Sequence, residues 1–303
     1  MSSIAGQLIN HERFVSVRTA LQHALERARQ GDPQILPIIG PTRVGKSKLI
    51  SRFADGLQLS GTDTQSRKVV FVMTPKHLTG RAVVDACLAG IGMRAELYNN
   101  HVMAMQAFIR AVNKHQTELI IFDETQHMLE RGTSTRQRDA ADLLKGVFDQ
   151  TTASMVLAGL PTLMGLFQHN EQLADRSRGA VEFYPYFWEG EDYRHFRSAL
   201  AGALGFFADI GWHIPSASDG DFARRMYVAT AGRYGLINKI LIEVQALGAN
   251  KCVAHYPEFA AAYRSAIQRR LITFNPFDQT QMIQTEHMAL VYTQVMQEAG
   301  GTL

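Results

Sequence analysis

Two short stretches concentrate the residues able to do chemistry. Gly40-Pro41-Thr42-Arg43-Val44-Gly45-Lys46-Ser47 fits the pattern G-x-x-x-x-G-K-[ST]. The glycines let the backbone curl so that its N–H groups point inward at phosphate oxygens. Lys46 is expected to reach the β- and γ-phosphates and the Ser47 hydroxyl to sit on Mg2+, while a helix opening at Ser47 adds its positive end. The second stretch, Leu119-Ile120-Ile121-Phe122-Asp123-Glu124, is an apolar run that delivers two carboxylates. Open α/β sheets bind ligands beyond the C-terminal ends of their strands. Asp123 is therefore expected to hold Mg2+, and Glu124 to orient and activate the water that attacks the γ-phosphate. The candidate nucleotide-binding set is the whole loop from Gly40 to Ser47 with Lys48 and Asp123, and the ligands are ATP and Mg2+. A second carboxylate beside the first suits hydrolysis better than transfer to a small molecule, so the expected activity is an Mg2+-dependent ATPase.

Both stretches need a sheet to position them. Five apolar runs, Ile35–Ile39, Lys68–Met73, Leu119–Phe122, Ser154–Ala158 and Val181–Tyr184, read as strands. Nearly continuous hydrophobicity fits strands covered on both faces, as in a parallel sheet. Helix-length patterns alternate with them at Ser47–Leu57, Arg81–Ile91, His101–His115 and Asp139–Gln150, after an N-terminal helix at Phe14–Arg29. The expected fold class is α/β: a three-layer P-loop domain with a five-stranded parallel sheet, followed by a small C-terminal helical domain. Beyond Trp188 the strand signal stops, and Asp192–Phe207, Ser218–Ala229, Gly235–Gly248 and Pro257–Ile272 read as helices, with one more over 279–299. The expected division is 1–29 an N-terminal helical extension, 30–188 the ATPase domain, 189–273 the helical lid and 274–303 a C-terminal tail that could bind a partner.

The composition is that of a protein with a sizeable core: 46% hydrophobic and 19% charged residues over 303 positions. Disorder, collagen and rod-like coiled coils are excluded, and no apolar run approaches the ~18 residues a bilayer span requires. With no basic start and apolar core of a signal peptide, a cytoplasmic protein without a membrane role is expected. Cys87 and Cys252 cannot build a disulfide framework, and the eleven histidines show no metal-ligand spacing. A net charge of +3 permits nucleic-acid binding without demonstrating it. Glu130–Arg138 is small, polar and basic, and Arg131, Thr133, Arg136 and Arg138 are candidate contacts to the phosphates of DNA. Lys76, His77 and Thr79, in the loop after the second strand, form a second candidate set.

The phosphate loop, the Asp-Glu strand end and the trailing helical lid resemble the AAA+ ATPases. More narrowly, Asp123-Glu124-Thr125-Gln126-His127-Met128, Leu157-Ala158-Gly159-Leu160-Pro161 and Asn275-Pro276-Phe277 resemble the TniB/TnsC group of transposition ATPases. The resemblance implies an ATP-bound homo-oligomer, ring or helical filament, on double-stranded DNA. It would mark the insertion site, work with a transposase and a targeting protein, and disassemble on hydrolysis. It also implies a helix-start second sensor at Arg233, which touches the γ-phosphate. An arginine finger for a neighbouring subunit's site is implied at Arg176 or Arg178, and the spacing does not choose between them. On an AAA+ ring the Glu130–Arg138 segment would face the central channel. The sequence departs from the pattern at the first sensor, where Leu157–Leu160 offers no polar side chain; a scaffold that binds ATP without turning it over therefore stays open. A helicase-loader or chaperone-type AAA+ protein acting on a protein partner is one alternative, and a P-loop small-molecule kinase another. Glu124 beside Asp123, and a lid on the C-terminal side, oppose the kinase.

Overall fold

A parallel strand covered on both faces reads as a nearly continuous apolar run, and the central strands of the sheet do, with Ser154 at the start of β4 and Asp123 at the end of β3 as polar exceptions. The structure is a computed structural model and describes residues 3–6, 10–59, 67–76, 79–129, 134–168, 170–249 and 252–301. In chain order the elements of its first part are α1 (Glu12–Arg29), β1 (Ile35–Ile39), α2 (Lys46–Leu59), β2 (Val69–Met73), α3 (Gly80–Gly90), α4 (His101–Lys114), β3 (Leu119–Asp123), α5 (Ser134–Asp149), β4 (Ser154–Gly159), α6 (Gly165–Gln168), α7 (Glu171–Asp175) and β5 (Val181–Glu182). Every residue of β1, β3 and β4 is buried. The sheet is all-parallel with order β2-β3-β4-β1-β5. Helices α8 (Gly190–Asp209), α9 (Gly220–Thr230), α10 (Tyr234–Gly248), α11 (Tyr256–Ala266) and α12 (Thr285–Glu298) follow. The chain forms two units: an α/β unit of residues 16–40 and 46–183, and a helical unit of residues 1–15, 41–45 and 184–303. Among the described residues no helix is long and apolar enough to cross a membrane.

Proline is rare inside a sheet because it cannot donate to the ladder, yet Pro37 sits mid-way along β1. The ladder explains it. Even-numbered positions of β1 face β4, as Gly40 N donating to Gly159 O at 3.1 Å shows, whereas odd-numbered ones face β5. On that side Ile35 exchanges bonds with Arg176 and Arg178, and Phe183 N donates to Ile39 O at 2.7 Å. Pro37 falls between these two tethers, where no partner waits for an N–H. β5 is shorter than the expected Val181–Tyr184, because the chain leaves the sheet ahead of Pro185.

Other boundaries also differ from the sequence reading. α5 starts at Ser134, not Asp139, so the end of the polar segment 130–138 is helical backbone. Its serine, threonine and arginines carry no apolar period, which hid the helix. α11 stops at Ala266 instead of Ile272, where Lys239 Nζ hydrogen-bonds the Ala266 carbonyl and closes the helix end. The short α6 and α7 had no separate signature.

The helical unit is organised around aromatic side chains. Phe222 packs on Phe259 and Phe259 on Phe277, with ring centroids 5.0 and 5.4 Å apart, so the Asn275-Pro276-Phe277 turn belongs to this core. Arg225, 4% exposed, pins the turn from beneath. Its guanidinium donates to the carbonyls of Pro276 at 2.7 Å, Asp278 at 2.9 Å and Gln281 at 3.0 Å, and pairs with Asp221 at 2.6 Å. Removing the donors would leave three carbonyls unmatched, and a buried unsatisfied group costs about 1–3 kcal/mol. Arg225→Met is accordingly expected to lower unfolding stability by about 3–5 kcal/mol, the range for a broken buried charge network, as read by denaturant titration. A loss under 1 kcal/mol would show that the turn holds without it.

Candidate nucleotide site

Lys46 begins α2 and Asp123 ends β3, both within the α/β unit and both withdrawn from water, at 8% and 0% exposure. The Lys46 ammonium donates to the Gly40 carbonyl at 2.6 Å, curling the side chain back over the end of β1. Burial lowers its pKa to about 8, against the opposing pull of the Glu124 and Asp123 carboxylates. Burial raises the Asp123 pKa, although the Ser47 hydroxyl, the Glu124 N–H and Lys46 all favour its charged form. Asp123 Oδ1 accepts the Glu124 N–H at 2.9 Å, whereas Oδ2 is buried with no hydrogen-bond partner among the described residues. A buried, unmatched carboxylate oxygen beside a serine hydroxyl is a donor set that suits a hard, oxygen-seeking cation such as Mg2+. Lys48 lies half-buried on α2 with Arg52 one turn on, and its pKa is lowered by burial and by that arginine.

Glu124 has left-handed backbone, φ 54° and ψ 36°, uncommon for a non-glycine residue and concentrated at functional sites. Its Oε2 accepts Gln126 Nε2 at 2.6 Å, and Gln126 Oε1 accepts the Leu160 N–H just past β4 at 3.1 Å. The sequence reading left Gln126 without a role. The signal that could have found it is Gly159, where the fourth strand lacks a side chain and leaves room for another.

In the helical unit, the loop residues Pro41–Gly45 have their own neighbours. Arg43 and Gly45 both take positive φ, 67° and 114°, alternating the backbone so that N–H groups can converge. A Cβ on Gly45 would meet the Phe14 ring at 3.1 Å, and one on Gly235 would overlap the Arg43 carbonyl. His11 stacks between Phe14 and Tyr234, at centroid distances of 4.1 and 4.4 Å, and bonds the Tyr186 hydroxyl at 2.7 Å. Burial and Arg13 hold its pKa near 3, so this ring stays neutral. Arg233 caps the start of α10 and donates through Nε to Thr230 O at 3.0 Å. Its pKa is lowered to about 10 by burial, then by Arg269 and Arg43, with Glu298 opposing. Arg233 and the phosphate-loop Arg43 thus feel each other's charge.

The two finger candidates part company. Arg176 is held by Asp149 at 2.7 Å and donates to Gln172 O at 2.6 Å. Arg178 is exposed and has no side-chain partner among the described residues, while its N–H is fixed to Ile35 O at 2.9 Å. Ile35 opens β1 and Gly40 follows its other end, roughly 13 Å away at about 3.3 Å per residue. Neither arginine can reach Lys46 of its own chain. Lys76 is exposed, and the Thr79 hydroxyl is engaged in capping α3 by accepting Ala82 N–H at 3.1 Å. Arg131, Thr133 and His77 lie outside the described residues, as do the side chains of Arg136 and Arg138, whose backbone is in α5.

The Lys46 pKa sets a pH dependence. A bound polyphosphate raises that pKa from about 8, because a nearby opposite charge favours the protonated form. Affinity for ATP is then fully expressed below pH 8 and declines as pH rises through 8. Calorimetric titrations at pH 8.5 in buffers of different ionisation enthalpy should show proton uptake, and in Lys46→Met none. Equal enthalpies for the natural chain in all buffers would refute the coupling.

Comparison with known proteins agrees with this architecture. The chain matches the Orc2 protein of Aeropyrum pernix, described in ADPNP and ADP complexes, with TM-score 0.61 and 13% identity over 88% of this chain and 71% of that one. It matches Cdc6p of Pyrobaculum aerophilum with TM-score 0.60 and 12% identity, over 98% and 84%. A Walker-type ATPase of Pyrococcus abyssi matches with TM-score 0.54 and 13% identity, over 86% and 71%. The shared fold is that of the AAA+ proteins, a parallel α/β sheet followed by a helical region. No curated protein sequence matches the chain. The family model described as "Bacterial TniB protein" matches residues 4–181, more than half of the sequence, and the chain belongs to the TniB family.

Proposed function

We propose that this TniB-family chain is an ATP-dependent regulator of transposition. It assembles on double-stranded target DNA, recruits the transposase, and uses hydrolysis to come apart. What carries the reading is the buried pair Lys46 and Asp123, with the exposed Ser47 hydroxyl and left-handed, half-buried Glu124 beside Asp123. An AAA+ fold that is crystallised with ADPNP and ADP in Orc2 supports a nucleotide there. Lys46 takes the phosphate oxygens, and the Ser47 hydroxyl and Asp123 take the cation. Mg2+, when bound, neutralises charge developing on the γ-phosphate. Glu124 accepts the proton of the attacking water, and Arg233 serves as the second sensor of the γ-phosphate.

We assign the trans-acting arginine to Arg178. It is exposed, without a side-chain partner among the described residues, at the opposite end of β1 from Gly40, a placement that supports contact with another subunit's phosphates. ATP then joins subunits, and its hydrolysis loosens the joint. Lys76 and the arginines of segment 130–138 track the DNA backbone, which makes binding steeply salt-dependent. The segment after Pro276 meets the transposase or the targeting protein, where Met282 and Leu290 stand 80% and 54% exposed.

The decisive experiment is negative-stain imaging of the chain with duplex DNA, with and without a non-hydrolysable ATP analogue, at low and high salt. Rings or filaments should form on DNA only with nucleotide and should be lost in Arg178→Ala but kept in Arg176→Ala. Glu124→Gln should keep ATP binding and assembly while losing hydrolysis by roughly 100-fold or more, the scale for a general base. Small single particles under every condition would return the choice to a P-loop kinase. Assembly with unchanged turnover in Glu124→Gln would favour the scaffold.

A further inference from the structure

We propose that Gln126 is the positioning residue for Glu124 and replaces the polar side chain that the end of β4 lacks. The inference rests on the reading of Glu124 as the group that takes the proton from water. Gln126 is 3% exposed, so both ends of its carboxamide need partners. Leu160 N–H can only donate, so the amide atom 3.1 Å from it is the oxygen, and the NH2 group must face Glu124 at 2.6 Å. The contact therefore has one polarity: Leu160 N–H to amide oxygen, amide N–H to carboxylate. It ties a strained residue to a fixed point of the sheet, because Glu124 departs from β3 in left-handed geometry and Leu160 leaves the neighbouring β4. Without such a tether the carboxylate has several rotamers to choose from, and misplacing a reacting group by about 1 Å costs on the order of 100-fold.

Gly159 is the other half of the arrangement. A Cβ there would stand 2.5 Å from Gln126 Oε1, 3.2 Å from the Gln126 N and 3.4 Å from the Thr125 N. The amide occupies the volume that a side chain on β4 would need. A polar residue at 159 and the glutamine at 126 are thus alternative solutions to one problem, and this chain has taken the second.

Four variants test this by single-turnover ATP hydrolysis with duplex DNA, ATP-analogue binding by fluorescence, and thermal unfolding. Gln126→Glu keeps size and the Leu160 bond but exchanges the amide donor for a second carboxylate. Gln126→Ala removes the tether. Both should lower the hydrolysis rate roughly 10- to 100-fold with analogue affinity within about twofold of the natural chain and Gln126→Glu unfolding normally. Gly159→Ala should reproduce the loss by displacing the amide, and Gly159→Ala with Gln126→Ala should be no worse than Gln126→Ala alone. Glu124→Gln runs in parallel. If it abolishes hydrolysis while both Gln126 variants turn over normally, the tether is overturned and Glu124 keeps its role. Additive losses at 126 and 159, or a loss of analogue binding in Gln126→Glu, would also overturn the tether. A natural chain without hydrolysis, or an active Glu124→Gln, removes the underlying reading and this one with it.

Discussion

Lys46 and Asp123 are ionisable groups of opposite charge held almost dry at the same end of one sheet, and burial works against the charged form of each. Transferring charge out of water is costly unless pairing and hydrogen bonds compensate. Among the described residues Asp123 Oδ2 has no hydrogen bond, while the Lys46 ammonium donates to the Gly40 carbonyl and lies within the field of the Glu124 and Asp123 carboxylates. Strands buried on both faces deliver the two residues without exposing them, and Arg43 and Gly45 give the preceding loop its positive-φ backbone.

The helical unit meets a related need with different means. Its core is aromatic, and its charged residues are few and specific. Arg225 spends its guanidinium on the carbonyls of a turn, a structural use, whereas Arg233 donates through Nε to Thr230 O and lies within electrostatic reach of Arg43, Arg269 and Glu298. Burial lowers the pKa of Arg233, with Glu298 opposing the shift and Arg269 and Arg43 adding to it.

Much of this was legible in the chain, for identifiable reasons. The phosphate loop and the strand ending in Asp-Glu are local patterns, so their placement at the C-terminal ends of β1 and β3 could be foreseen from spacing alone. Parallel strands were visible because full burial writes an unbroken apolar run. The start of α5 was not, since the sequence from Ser134 to Arg138 is polar throughout and sets no apolar period. Nor was the role of Phe277, whose partners Phe222 and Phe259 come from distant helices. Gln126 was hidden for a subtler reason: its importance depends on what residue 159 lacks, and an absent side chain leaves no pattern of its own. The pairing of Arg176 with Asp149 was likewise hidden, because the two lie in different elements and no local pattern links them.

Pro37 carries a consequence for mechanics. Because it offers no hydrogen on the β5 side, the edge of the sheet is basted at its two ends, near Ile35 and near Ile38–Ile39, and left unstitched between. Between these tethers the edge advances four residues, from Ser177 to Val181, against three of β1, from Ile35 to Ile38, so it carries one residue more than the ladder can pair. One missing hydrogen thus leaves slack at the β5 edge, while the ladder between β1 and β4 is paired at every position from Ile35 to Ile39.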